Sequence, residues 1–292
     1  MSSACRMFFL RGMGVSPMRT AAWARRPCHA ATLAVLVLIW LSAVTSAQTT
    51  QRTLRIASDP NNLPFSNDKL EGFENKIAAL VAKDLNANID YLWRAQRRGY
   101  FRESFKNEGV DIIMGAPANF DKALTTTPYY RSSYVFVSRK DRDISINNFD
   151  DEKLKNLKIG VQLTGDANTP PAQSLGMRDM WRNVVGYTVF GDYKNPNPPA
   201  AIIDGVAKGD VDIAVVWGPL AGYFAKQQKV ELKLAPVSPE TDGKIPMAFS
   251  ISMAVAKKNK PLCEELNAVI ERHRTEIQKI LDDYGVPQTA ER

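Results

Sequence analysis

The chain has 292 residues, with 38 basic and 31 acidic side chains and a formal net charge of +7. Five of the bases are arginines within the first 47 residues; without them 33 bases face 31 acids, a net of about +2, which removes nucleic acid as a default partner. Past residue 47 only Cys263 and His273 remain of their types, so an internal disulfide, a zinc site and His-dependent triads lack their usual parts.

The N-terminal segment holds Arg6, Arg11, Arg19, Arg25 and Arg26 and no acid. An apolar run over 31–41 (ATLAVLVLIWL) and the small residues of 42–47 follow it. This is the pattern of a secretory signal peptide, 1–47, with cleavage expected after Ala47. The apolar run is shorter than the roughly 20 residues of a membrane span, so no stable span is expected after cleavage.

In chain order, TLRIASD (53–59) reads as a strand, 74–85 as an amphipathic helix, NIDYLW (88–93) as a strand and 98–107 as a helix. VDIIMGA (110–116) and SYVFVSRK (133–140) read as strands. The pattern then restarts. A polar helix is expected over 150–156, a strand and polar turn over 157–166, a proline-opened helix over 170–180, a strand over 184–192 and a helix over 198–209. VDIAVVWG runs into a helix over 219–228, followed by a strand at 231–237, a loop at 238–246, a strand at 248–258 and one helix over 261–284. Strands alternating with helices predict an α/β fold with mostly parallel sheets. The segments NEGVDIIMGAP (107–117) and AKGDVDIAVVWGP (207–219) match each other and predict two lobes of like topology that share a cleft.

This order resembles the extracellular solute-binding proteins of the amino-acid-receptor type. The likeness is carried by SDPNNLPF (58–65), GFENKIAALVAKDL (72–85), VDIIMG (110–115), PYY (128–130) and KIGVQLTGD (158–166). It implies a hinged, two-lobed periplasmic binding fold of type II. Lobe I is expected over 48–140 and 245–292, and lobe II over 141–244. Such receptors hold a ligand's α-carboxylate with an arginine after the VDIIMG-like strand and its ammonium with an acid after the VDIAVV-like strand. Here 115–130 has no arginine, Lys122 is a poor substitute, and the acid's place holds Trp217-Gly218-Pro219. Amino-acid scavenging is therefore not expected.

Longer phrases, among them LTTTPYYRSSYVFVSRKDR (124–142), NPNPPAAIIDGVAKGDVDIAVVWGPLAGYFAKQQ (195–228) and LDDYGVP (281–287), resemble the XoxJ/MoxJ family of methylotrophs. That resemblance implies a periplasmic accessory of methanol oxidation. Its expected partner is a pyrroloquinoline-quinone-dependent methanol or alcohol dehydrogenase, calcium- or lanthanide-dependent, with its c-type cytochrome. No catalysis and no cofactor of its own are implied.

The expected cleft residues are Trp217, Tyr223, Phe65, Asp59, Thr164 and Asp166. Trp217 sits where strand ends face ligands in such folds. It reads either as an anchor for a partner segment or as packing that plugs the cleft. Asp166 beside a helix start reads first as a cap, and Phe65 equally as core or stacking surface. Arg94, Arg97 and Arg98 with Tyr100 form a basic-aromatic run that reads as a solvated helix face or as a docking patch for an acidic partner. Two other readings stay open: a transport receptor for a small uncharged or aromatic solute, and an enzyme on this fold such as a cyclohexadienyl dehydratase. The missing loop arginine weakens the second of these.

Overall fold

The computed structural model describes residues 51–164, 167–188 and 195–290; the expected signal segment lies outside them. The chain opens with strand β1 (Arg52–Ser58), helix α1 (Phe73–Asp84) and strand β2 (Ala87–Trp93). Helix α2 (Tyr100–Lys106) leads to β3 (Ile112–Pro117), and β4 (Tyr130–Arg139) follows. Then come β5 (Ile159–Thr164), α3 (Pro170–Gly176), β6 (Val184–Thr188), α4 (Ala201–Lys208) and β7 (Ile213–Trp217). Helix α5 (Gly218–Ala225), β8 (Leu232–Pro236), β9 (Ala248–Val255), α6 (Lys260–Arg272) and α7 (Arg274–Asp283) complete the order.

The strands form a sheet with two parallel halves. In the first, β1 lies between β2 and β3, parallel to both. In the second, β5 lies between β6 and β7, again parallel. Two antiparallel strands close the arrangement: β9 pairs with β3 and β4, and β4 pairs with β7 and β8. Strand β4 changes allegiance midway. Tyr130 to Ser133 pair with β9, whereas Tyr134 to Ser138 pair with β7 and Val135 to Arg139 with β8.

The repeated Val-Asp-Ile phrase has one physical job in both halves. The carboxylate of Asp111 accepts the amide N–H of Arg55 at 2.9 Å, and that of Asp212 accepts the amide of Lys158 at 2.9 Å. Each aspartate also donates its own N–H to the same residue's carbonyl, at 2.8 and 2.9 Å. Asp111 and Asp212 therefore clamp an incoming strand to its parallel neighbour, which sets the register of the following apolar residues.

Apolar residues at helical spacing in α1 bury Phe73, Ile77, Ala78 and Val81 against the first half-sheet. Phe73 is wholly buried, with the rings of Phe65, Tyr130 and Tyr284 at 5.3, 5.9 and 5.9 Å. Such aromatic edges add about 0.5–1.5 kcal/mol each beyond burial. The second half has its own core around Val137, Ile203, Val216 and Leu220.

The C-terminal helix predicted over 261–284 is broken at His273, whose φ of −109° leaves helical geometry. The His273 ring meets Asp84 at the end of α1 (Nε2 to Oδ2 2.7 Å) and, through Nδ1, Glu276. The solvated helix face read from ERHRTEIQK is thus interrupted by a three-residue ionic joint. Glu276 and then Asp84 raise the imidazole pKa above its ordinary 6.5. The joint is fully formed below pH 6.5 and is lost as pH rises through the elevated value. A ring NMR titration is expected to show a midpoint above 6.5 that falls in Asp84→Asn; an unshifted midpoint in the parent protein would contradict the joint.

Candidate functional site

A cavity of about 290 Å³ lies along the seam of the two half-sheets. Five rings wall it, those of Phe65, Tyr130, Tyr134, Trp217 and Phe249. They arrive from the β1–α1 connection, from both portions of β4, and from the ends of β7 and β9. Trp217 is half-buried, with the rings of Tyr134 and Phe249 at 5.3 and 5.9 Å. Its backbone N–H donates to Oε1 of Gln162 at 2.7 Å, which fixes the strand exit. Burial of its hydroxyl raises the Tyr134 pKa far above the ordinary phenol range, so that group stays neutral.

Glu74 faces this aromatic space from the first turn of α1. The side chain of Asn75 organises that turn, its Oδ1 accepting the amides of Gly72 and Asn67 at 3.2 and 3.1 Å. Glu74 is 3% exposed, and burial alone pushes its carboxyl up to about 8. Among the described residues no hydrogen-bond or ion-pair partner meets that carboxyl. Gly115, at a φ of +69°, gives it room: a Cβ there would stand 2.4 Å from Glu74 Oε1. The Gly115 amide donates instead to the Tyr129 hydroxyl at 3.2 Å. Asn62, Gln96, Gln162 and Thr169 add neutral polar atoms, and among the described residues no Lys, Arg or His lines the cavity.

The residues expected at the cleft divide. Trp217 and Phe65 line the cavity. Tyr223 does not: it stacks on Tyr284 at 5.6 Å, on the outer side of α5. Asp59 is buried and braces the turn, its carboxylate accepting the amides of Asn61 and Gln96 at 2.9 Å each. Burial raises its pKa, and those two amides hold it partly down. Thr164 ends β5, and Asp166 lies outside the described residues. In the basic-aromatic run Arg97 and Arg98 are exposed, while Arg94 is half-buried with Glu108 at 4.0 Å. Tyr100 is 6% exposed and packs with Ala57 and Ile113, so it supplies core and no surface. Reading the sequence missed Glu74, Tyr130, Tyr134 and Phe249. The one available signal was PYY (128–130) before a strand, which marks the aromatic wall without revealing its face.

Residues 54–287 match the family model of the bacterial extracellular solute-binding proteins, family 3. The chain belongs to that family. Within it, the chain groups with the MoxJ/XoxJ proteins. It is 29% identical over 279 residues to "Protein MoxJ" of Methylorubrum extorquens strain AM1, covering 88% of this chain and 93% of that one. The crystal structure of periplasmic binding protein XoxJ from Methylobacterium extorquens AM1 is similar at 34% identity and a TM-score of 0.66, over 82% of this chain and all of XoxJ. MxaJ from Methlophaga aminisulfidivorans MPT is similar at 25% identity and a TM-score of 0.71, over 81% and 100%. Two features of this family 3 protein bear on membranes and metals. Among the described residues no helix is long and apolar enough to cross a membrane. Nor does any group of three His, Cys, Asp or Glu side chains in them form a metal site.

Proposed function

We propose that this protein is a non-catalytic periplasmic accessory of methanol oxidation, exported with cleavage near Ala47. In this reading its cleft engages a PQQ-dependent methanol or alcohol dehydrogenase and assists that enzyme's assembly or activation. One observation carries the proposal: an aromatic cavity with Trp217 at the strand exit and, among the described residues, no basic side chain to clamp an amino acid's carboxylate. The similarity to MoxJ, MxaJ and XoxJ supports the setting. In this reading residues 48–140 with 245–292, and 141–244, act as two lobes, linked by β4, which pairs with β9 over Tyr130–Ser133 and with β7 and β8 over Tyr134–Arg139.

Buried aromatic anchors dominate interface energetics, truncation typically costing about 2 kcal/mol or more. Immobilised protein is expected to retain the dehydrogenase, and Trp217→Ala to weaken retention by at least about 30-fold. Arg97→Glu with Arg98→Glu is expected to slow association and reduce its salt dependence. Failure of the wild-type protein to retain the dehydrogenase would reject the reading. The 290 Å³ cavity favours one alternative, a transport receptor for a small solute. That reading predicts solute-dependent melting without dehydrogenase binding.

A further inference from the structure

Glu74 is a buried acid that has no hydrogen-bond or ion-pair partner among the described residues, and the function just described does not use it. A carboxyl without hydrogen-bond partners in an apolar site is a standing cost to the fold unless something else satisfies it. The cavity beside it is the place from which satisfaction could come. At about 290 Å³ it falls just under the usual range of about 300–1,000 Å³ for small-molecule sites, so its occupant is small.

The lining chemistry narrows that occupant. An anion is disfavoured, because among the described residues the cavity offers no Lys, Arg or His to receive it. A zwitterionic amino acid would leave its carboxylate without a counter-charge. A cation meets the opposite situation: ring faces attract it, and a carboxylate neutralises it. Several aromatic rings around one space are the recurring solution for alkylated ammonium groups, whose charge is spread over a greasy surface.

We propose that the cavity binds a small organic cation, a methylated ammonium with no carboxylate of its own. Glu74 supplies the counter-charge and the rings of Phe65, Tyr130, Tyr134, Trp217 and Phe249 supply the cage. Gly115 has a defined part in this site, since any side chain there would displace the Glu74 carboxyl. The inference goes beyond the accessory reading and does not depend on a dehydrogenase docking.

The site carries a proton linkage. With its carboxyl pushed up to about 8, Glu74 is largely protonated at pH 6 and must release that proton to pair with a cation. The titratable groups whose electrostatics couple to Glu74 are four phenols: Tyr91 on β2, Tyr100 on α2, Tyr129 just before β4, and Tyr130 on β4. Burial raises all four, and they stay neutral between pH 6 and 9. Cation affinity therefore rises with pH from 6 and levels off above about 8.

The test is titration of the full exported protein with tetramethylammonium chloride, following Trp fluorescence and melting temperature at pH 6 and pH 8. Potassium chloride at equal ionic strength and tert-butanol, a neutral group of similar shape, serve as controls. Saturable binding by tetramethylammonium alone is expected, tighter at pH 8 than at pH 6. Glu74→Gln keeps the shape and should still fold; it is expected to weaken binding by about 30-fold or more and to remove the pH dependence. Trp217→Phe, which retains a ring, is expected to weaken it only several-fold. The proposal is overturned if neither tetramethylammonium nor methylammonium binds at pH 8, if tert-butanol binds as well, or if Glu74→Gln leaves affinity unchanged. A protein that retains a dehydrogenase yet binds no cation would sink this inference alone.

Discussion

Replacing Glu74 by glutamine is expected to flatten the pH dependence of stability between about pH 5 and 8. The carboxyl has an ordinary value of 4.5 and is raised to about 8 in the fold. Below 4.5 it is protonated whether the chain is folded or not, and stability is unaffected. Between 4.5 and about 8 the unfolded chain has released the proton while the fold retains it. Stability then falls by up to about 1.4 kcal/mol per pH unit. From pH 5 to 7.5 this one group removes about 3 kcal/mol, or about 6–12 °C of melting temperature for a chain of this size. Glutamine has nearly the same shape and never ionises, so its melting curve should cross that of the parent and lie above it at pH 7.5. The comparison needs only melting curves of the two proteins at matched pH. Parallel curves would mean that water or a partner already satisfies the carboxyl.

Gly222→Ala carries the second large expected effect, and it concerns the C-terminal strap. Residues 284–290 cross from α7 over the seam of the sheet. Tyr284 stacks on Tyr223 and donates its hydroxyl to the Glu71 carbonyl. Thr289 donates its amide to the Arg131 carbonyl at 3.1 Å. Gly222 on α5 lies so close that a Cβ there would stand 2.0 Å from the Gly285 carbonyl oxygen and 3.2 Å from Pro287 Cδ. Backbone blocks the way, so no rotamer relieves the clash, and the strap must lift. A loss of about 1–3 kcal/mol is expected, towards the upper end. The distinguishing measurement is hydrogen exchange: the Thr289 amide should lose protection in Gly222→Ala and keep it in Gly176→Ala. At Gly176 a Cβ meets nothing within 4 Å. Retained protection at Thr289 in Gly222→Ala would refute the tight seating.

The first-half helix and the buried strands were legible because their signals are local. Apolar spacing gave α1, and the Val-Asp-Ile phrases marked two equivalent strands even before their clamping role was visible. The break at His273 was hidden, since ERHRTEIQK satisfies helical spacing throughout. Only the distant Asp84 shows why the chain bends there. Glu74 escaped notice for a related reason: an acid in a first helical turn is already explained by the helix dipole. Its burial depends on Gly115, 41 positions later. The aromatic cavity draws on residues 65, 130, 134, 217 and 249, five positions spread over 185 residues. The missing arginine and the tryptophan at the strand exit were readable because both are departures from a pattern. The aromatic cavity around that tryptophan is a product of topology.

The partner change within β4 has a consequence for how this chain reaches its fold. Strand β9 must insert between β3 and β4, yet it is made more than a hundred residues after either of them. The core around Phe73 also waits for Leu266 and Leu281 from α6 and α7. The second half-sheet can close early, once residues 134–139 and 213–236 are available. The first half must linger open with its apolar face uncovered until nearly the whole chain has been synthesised. Contacts of such long sequence separation slow folding, because the entropy of closing the intervening loop is lost before any pairing rewards it. The half-sheet built on β1, β2 and β3 is thus made first and becomes native last.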